Sequence, residues 1–279
     1  MPKSEAARLW KGFWQLAGPK IRITSTVPML VGGAYAYSSG QFDIYWFFIS
    51  LAAVYLIDTG RNAVNEITDG KKTIAGRRLT GVETAFIAAG VLGGAGTIGL
   101  YIMIFREFSI FWIGFAGVVL SVFYRLPPVK LACRRFGKAA VGFTSGPMVM
   151  MAIFLIMTHG MNAGVVLMAL PIGFLAANVV WMGQFAGYKE GLEEKRTVLV
   201  PGLLFVLAFA STAILAISFK NPIWLLGFAG IPTALKAVKN AKTAFNDTQA
   251  LARSNAGTIL AYQITGAAML IGAVSEKFI

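Results

Sequence analysis

Apolar residues along this chain come in long stretches, not at the spacing of a one-sided helix or strand. The stretches run roughly over 23–40, 44–64, 83–104, 108–124, 139–158, 163–184, 198–218, 221–237 and 257–275. A bilayer's hydrocarbon core of about 30 Å takes about twenty apolar residues in a helix, so each stretch is long enough to cross. The pattern predicts an all-α integral membrane protein, a bundle of about nine transmembrane helices. Pro222 and Pro232 interrupt the eighth stretch. A membrane helix tolerates this when neighbouring helices satisfy the freed carbonyls. Residues 1–20 read differently. Leu9, Trp10, Phe13, Trp14 and Leu16 alternate with Arg8 and Lys11, which predicts an amphipathic helix lying in the membrane interface. The connections are short and hold no inserted soluble domain, so 1–279 reads as a single membrane-embedded domain.

One stretch ends in polar residues that share a face. From Asp58 the chain continues through Arg61, Asn62, Asn65, Glu66 and Asp69 to Lys71 and Lys72. On a helix at about 100° per residue, Asp58, Asn62, Asn65 and Asp69 fall within roughly 60° of one another. Ionisable groups in or beside a membrane span are costly and generally mark a working site. Asn65 and Asp69 stand one turn apart and offer hard oxygen ligands, as Mg²⁺ prefers, with waters and substrate phosphates completing the shell. Arg61, Lys71 and Lys72 are placed to neutralise a diphosphate. A polar helix end emerging into water would account for Lys71 and Lys72, but poorly for Asp58, Asn62 and Asn65.

Composition supports the membrane reading. The 279 residues are 57% hydrophobic and 13% charged, with a mean hydropathy of +0.68, too apolar for a soluble domain. All Lys and Arg residues except Arg106, Lys220 and Lys277 fall before the first stretch or at the even-numbered connections, counting Arg61 and Lys236 at the ends of their stretches. The positive-inside rule makes that side, and the N-terminus, cytoplasmic. The net charge of +13 thus lies along one membrane face. Topology and anionic lipid account for it, and nucleic acid is not an expected partner. The basic N-terminus leads into a full span, not a secretory signal peptide. Cys133 is the only cysteine and His159 the only histidine. This excludes a disulfide within the chain and any histidine- or cysteine-built zinc or haem site. His159 reads as an interfacial residue.

Two further polar clusters fall on the same membrane face. One, from Gln184 to Thr197, carries Tyr188, Glu190, Glu193, Glu194, Lys195 and Arg196. A charged loop between spans is usually only solvated. Paired with the first stripe, its acids could hold a second metal ion against one diphosphate. The other runs from Tyr124 through Pro127, Pro128 and Lys130 to Arg134 and Lys138. Its prolines end the fourth stretch, and its cations fit either topology or a phosphate site. Tyr124 and Tyr188, beside these clusters, complete the catalytic candidates with Asp58, Arg61 and Glu66.

These motifs together resemble the UbiA-type membrane prenyltransferase superfamily, and within it the 1,4-dihydroxy-2-naphthoate prenyltransferases of menaquinone synthesis. The likeness covers nearly the whole chain. It rests on Pro19-Lys20-Ile21-Arg22 with Thr26-Val27-Pro28, on Asn65-Glu66-Ile67-Thr68-Asp69, and on Tyr124-Arg125-Leu126-Pro127-Pro128-Val129-Lys130. Gly137-Lys138, Gly146-Pro147 and Lys195-Arg196-Thr197 complete it. Departures are specific. Glu66 stands where Asp is usual in the family, Thr73 where a further acid often follows Asp69, and Gly137-Lys138 replaces a common Gly-Glu. The family's second motif has two aspartates four apart; here, aligned without a gap, those positions hold Ala186 and Glu190, and with a one-residue gap Gly187 and Gly191. The substituting acids are then Glu190, Glu193 and Glu194.

The resemblance implies transfer of an isoprenyl group from an allylic diphosphate to an aromatic acceptor at a cytoplasmic-facing site. Mg²⁺ would sit on Asn65, Asp69 and Glu190, Glu193 or Glu194. Arg61, Lys71, Lys72, Lys130, Arg134, Lys195 and Arg196 would share the diphosphate charge. Asp58 and Glu66 are both candidate bases. Loss of the second-motif aspartates keeps a second reading open: a UbiA-type terpene cyclase, which ionises the same diphosphate without an aromatic acceptor. A third, an ion-coupled transporter, predicts acids at mid-membrane and internal symmetry; the acids here lie at one face and no repeat is evident.

Overall fold

The structure is a computed structural model and describes residues 3–69, 79–125, 142, 144–185, 194–243 and 248–279. Among the described residues there is no strand. The helices are α1 (Lys3–Leu16), α2 (Pro19–Ser38), α3 (Ile44–Asp69), α4 (Gly81–Phe105) and α5 (Ile110–Arg125). A π-helical turn (Thr144–Met148) leads into α6 (Val149–Thr158), followed by α7 (Ala163–Phe185) and α8 (Glu194–Ser218). A 3-10 segment (Pro222–Gly230) runs into α9 (Ile231–Thr243), and α10 (Thr248–Ser275) closes the chain. Each apolar stretch is helical over most of its described residues. Among the described residues, four helices are long and apolar enough to cross a membrane: Gly81–Phe105, Ala163–Gly183, Leu199–Ser218 and Gln249–Ser275. The protein is an all-helical integral membrane protein.

The helices overrun the apolar stretches at their polar ends. α3 continues past 64 to Asp69, α8 begins at Glu194 and α10 at Thr248. Hydropathy marks only the part of a helix that suits lipid, while internal hydrogen bonding carries the helix into polar surroundings. The prolines leave local signatures. Pro147 sits in the π-helical turn, where the extra residue accommodates its missing N–H. Asn221 caps the 3-10 segment, accepting from the Ile223 amide at 3.0 Å. Pro28, Pro171 and Pro201 lie inside α2, α7 and α8.

The chain divides into two compact units, Met1–Thr26 with Ile44–Phe108, and Val27–Asp43 with Ser109–Ile279. In the first, α3 and α4 lie antiparallel. Leu92 sits over Gly60 and Leu56 over Gly94, and the Tyr45 and Tyr101 hydroxyls meet at 2.9 Å at the far end. Trp46 stacks on Tyr101, with the Arg106 guanidinium over its ring. Such aromatic clusters suit a membrane–water boundary. Thr26 joins α2 to α3 through the Tyr55 hydroxyl at 3.1 Å.

In the second unit small residues bring helices together. Gly173 faces the Pro147 ring and Gly272 faces the Trp224 indole. Buried polar side chains bind carbonyls on neighbouring elements: Thr265 to Gly227, Ser254 to Ala237, Asn178 to Pro201. Small-residue contacts and interhelical hydrogen bonds hold helices together where lipid offers no hydrophobic drive. The Asn221 amide donates to Ser275 Oγ at 2.8 Å and Glu276 Oε1 at 2.7 Å, and Trp224 Nε1 also donates to Glu276.

Candidate functional site

α3 carries the polar stripe, and because the helix is unbroken to Asp69 the stripe lies on one continuous face. Asp58 is buried at 4% exposure. Arg61 Nη2 reaches back one turn to its Oδ1 at 3.1 Å. Thr59 is also buried and returns its hydroxyl to the Tyr55 carbonyl. α4 backs the polar turn closely: a Cβ at Gly60 would meet the Leu92 side chain of α4, which would have to shift.

Asn62 has a distinct partner. Its Nδ2 donates to the main-chain carbonyl of Leu16 at 2.9 Å, one of the carbonyls a helix C-terminus leaves unpaired. α1 thus ends against the stripe. Leu16, Ala63, Leu79 and Ala88 form a small buried core beneath, with Leu9 and Ile87 packed on it. Gly12 abuts Leu79. Arg8 forms a two-pronged ion pair with Glu83, and Glu83 also closes a capping box with Thr80 at the start of α4. The sequence placed α1 in the membrane interface. The structure adds that it is bound to both α3 and α4, a link between residues far apart in the chain with no local signal.

Asn65 and Glu66 follow Asn62 by one turn and are half-buried. Glu66 Oε1 is enclosed and has no hydrogen-bond partner among the described residues; the same holds for Gln15 Oε1 on α1. Glu66 lies beyond the apolar stretch 44–64, and burial pushes its carboxyl above the ordinary carboxylate range. An enclosed acceptor oxygen without a donor is costly unless a ligand, ion or water completes it. Asn65, Glu66 and Asp69 are oxygen-bearing residues on one end of one helix, the donor chemistry that suits Mg²⁺. Among the described residues no group of three or more His, Cys, Asp or Glu could hold a metal ion.

The remaining sequence candidates divide as follows. Asp69 is the last residue of α3, Tyr124 lies in the last turn of α5, and Glu194, Lys195 and Arg196 form the first turn of α8; for these the structure describes backbone placement. Lys71, Lys72, Lys130, Arg134, Tyr188, Glu190 and Glu193 lie outside the described residues. Asp58, Arg61, Asn65 and Glu66 are brought together on α3. Asn62 and Gln15 are additions. Asn62 was visible as a stripe member, but nothing in the sequence showed that it would bind α1. His159 is exposed at the end of α6, with the left-handed backbone angle φ of 55°.

No protein-family model matches the chain. Among curated proteins it is similar to a 1,4-dihydroxy-2-naphthoate octaprenyltransferase of Bacillus subtilis (strain 168). The two are 24% identical over 250 residues, covering 81% of this chain and 80% of that protein. Among solved structures it is similar to one described as giving structural and mechanistic insights into the biosynthesis of digeranylgeranylglyceryl phosphate synthase in membranes. The TM-score is 0.59 at 16% identity, covering 96% of this chain and 99% of the other. The polar stripe, the all-helical membrane fold and these two similarities agree: the chain resembles the UbiA-type membrane prenyltransferases in sequence and in fold.

Proposed function

We propose that this protein transfers an isoprenyl group from an allylic polyprenyl diphosphate to an aromatic acceptor such as 1,4-dihydroxy-2-naphthoate, with Mg²⁺, releasing diphosphate. The observation that carries the reading is the α3 face bearing Asp58, Arg61, Asn65 and Glu66 in a chain similar to a named octaprenyltransferase. In this reading the chain crosses the membrane about nine times with its N-terminus cytoplasmic, and the stripe opens to the cytoplasm. The one-sided distribution of Lys and Arg supports that orientation.

The division of labour follows from the chemistry. The C–O bond of the allylic diphosphate breaks and both electrons leave with the diphosphate oxygen. Asn65 and Asp69 would hold Mg²⁺, with Glu190, Glu193 and Glu194 as the remaining candidate ligands. When bound, the metal supplies positive charge against the departing diphosphate. Arg61, Lys71, Lys72, Lys130, Arg134, Lys195 and Arg196 share that task. Arg61 is oriented for it by Asp58, which holds the guanidinium from one side. The allylic cation is protected from hydrolysis by an apolar, water-poor site. The acceptor ring attacks it, forming the C–C bond, and a base removes the ring proton. Asp58 is ion-paired with Arg61, which favours its carboxylate form and weakens it as a base, whereas no ion pair holds Glu66 among the described residues. We therefore assign Glu66 as the base. Tyr124 and Tyr188 are assigned to the substrate cavity.

The test is product analysis by mass spectrometry. Purified protein is given allylic diphosphates of several chain lengths, with and without Mg²⁺, and with and without 1,4-dihydroxy-2-naphthoate or 4-hydroxybenzoate. A prenylated ring with diphosphate release is expected. Folded protein that releases no diphosphate from any donor would overturn the reading. Cyclic hydrocarbon or alcohol formed without acceptor would replace it with a terpene cyclase, the alternative favoured by the replaced second-motif aspartates.

A further inference from the structure

α1 has one face that packs and one that does not. Gly12, Leu16 and Ala17 are buried, while Ala7, Trp10, Lys11 and Trp14, spaced along a single helical face, are exposed. Trp10 is 63% and Trp14 48% exposed, and the two rings meet edge to face 5.6 Å apart. Exposed indoles flanked by a lysine suit the headgroup–acyl boundary of a bilayer, where the ring is half solvated and the ammonium meets lipid phosphate. The packed face is tied down at two points, by Arg8 on Glu83 near the middle and by Asn62 on the Leu16 carbonyl at the C-terminal end. Asn62 precedes Asn65 and Glu66 by one turn, so the bond that holds α1 comes from the candidate site itself.

We infer that α1 is a bilayer-seated arm that positions the Asn65–Glu66 turn through Asn62, making Asn62 a positioning residue. The partner is the lipid interface, bound by Trp10, Trp14 and Lys11. The turn that carries Asn65 and Glu66 is then braced from outside by a helix that the membrane itself holds in place. Gln15, whose Oε1 is enclosed without a partner one residue before the clamped carbonyl, belongs to the same braced corner. The effect on turnover rests on the proposed prenyl transfer; the seating of α1 does not.

The test uses the full chain in nanodiscs containing anionic phosphatidylglycerol. Ala7→Cys in a Cys133→Ser background carries a nitroxide on the same exposed face, since the chain has one cysteine. Electron paramagnetic resonance should find the label slow-moving and at headgroup depth. In Asn62→Ala the spectrum should sharpen as α1 loosens. Turnover should fall roughly tenfold in kcat with KM for the prenyl diphosphate nearly unchanged, the scale of one lost hydrogen bond. Asn62→Gln, which keeps the amide donor, should recover part of both effects. Trp10→Ala with Trp14→Ala should move the label outward with the rest of the fold intact. An unchanged spectrum in folded Asn62→Ala would overturn the bracing. A depth unaffected by the tryptophan pair, or dipolar broadening from a label on a second chain, would overturn the lipid seat. An unchanged kcat would remove Asn62 as a positioning residue. If wild-type protein releases no diphosphate, the functional reading fails while the resonance measurements still decide the seating.

Discussion

Arg61 Nη2 lies 3.1 Å from Asp58 Oδ1, one turn apart on α3, with the carboxylate side chain only 6% exposed and the guanidinium 32%. The pair turns a nearly buried acid into a support for a cation that can still face a ligand. Removing one member leaves the other enclosed without its counter-charge. Arg61→Gln and Asp58→Asn should each lower stability by about 1–3 kcal/mol. The double variant should cost less than their sum, with a coupling of about 0.5–2 kcal/mol. Thermal unfolding of the detergent-solubilised protein measures this; strict additivity would mean that the pair carries no interaction energy.

Gly60 and Leu92 set how closely α3 and α4 approach. A methyl at 60 would strike Leu92, so Gly60→Ala should destabilise by about 1–3 kcal/mol, as overpacking does. Adding Leu92→Ala opens the space and should restore part of the loss. Thermal midpoints of the two variants check the sign.

Asn65 and Asp69 are the residues that the functional reading assigns to the metal. Asp69→Ala should reduce diphosphate release by roughly 100-fold or more, and Asn65→Ala should also reduce it. A chelator should stop wild-type turnover and added Mg²⁺ should restore it. Full activity in folded Asp69→Ala would remove Asp69 from the metal site.

Thr80 and Glu83 start α4 and hold α1. Thr80→Ala removes the cap and should cost about 1 kcal/mol. Glu83→Gln keeps an acceptor for the Thr80 amide but discharges the partner of Arg8. It should leave α4 intact while making the residues of α1 more sensitive to limited proteolysis. High salt should reproduce part of that effect in the wild type, because the pair is partly exposed and screened. Cleavage rates that do not respond to Glu83→Gln would mean that the ion pair does not hold α1.

Much of this protein could be read along the chain because lipid imposes a length and a polarity on every segment that crosses it. The apolar stretches, the amphipathic character of α1 and the polar face of α3 are local properties. Each depends on composition and spacing within about twenty residues. The resemblance to UbiA-type membrane prenyltransferases was legible for the same reason, since Asn65-Glu66-Ile67-Thr68-Asp69 is a contiguous string. Helix ends were less legible. α3 reaches Asp69 and α10 begins at Thr248 because helical hydrogen bonds do not stop where hydropathy does.

Tertiary structure decided what the polar residues bind. The stripe predicted that Asp58, Asn62 and Asn65 share a face, and on that face the structure gives Asp58 and Asn62 different partners. Asp58 goes to Arg61, Asn62 to the end of α1, and the Glu66 oxygen is left enclosed without one. Arg8 and Glu83 meet across a separation that no local pattern encodes. Periodicity fixes the direction of a side chain about its own helix axis. The identity of the neighbour in that direction depends on how separate helices pack, which the spacing along any one of them does not contain.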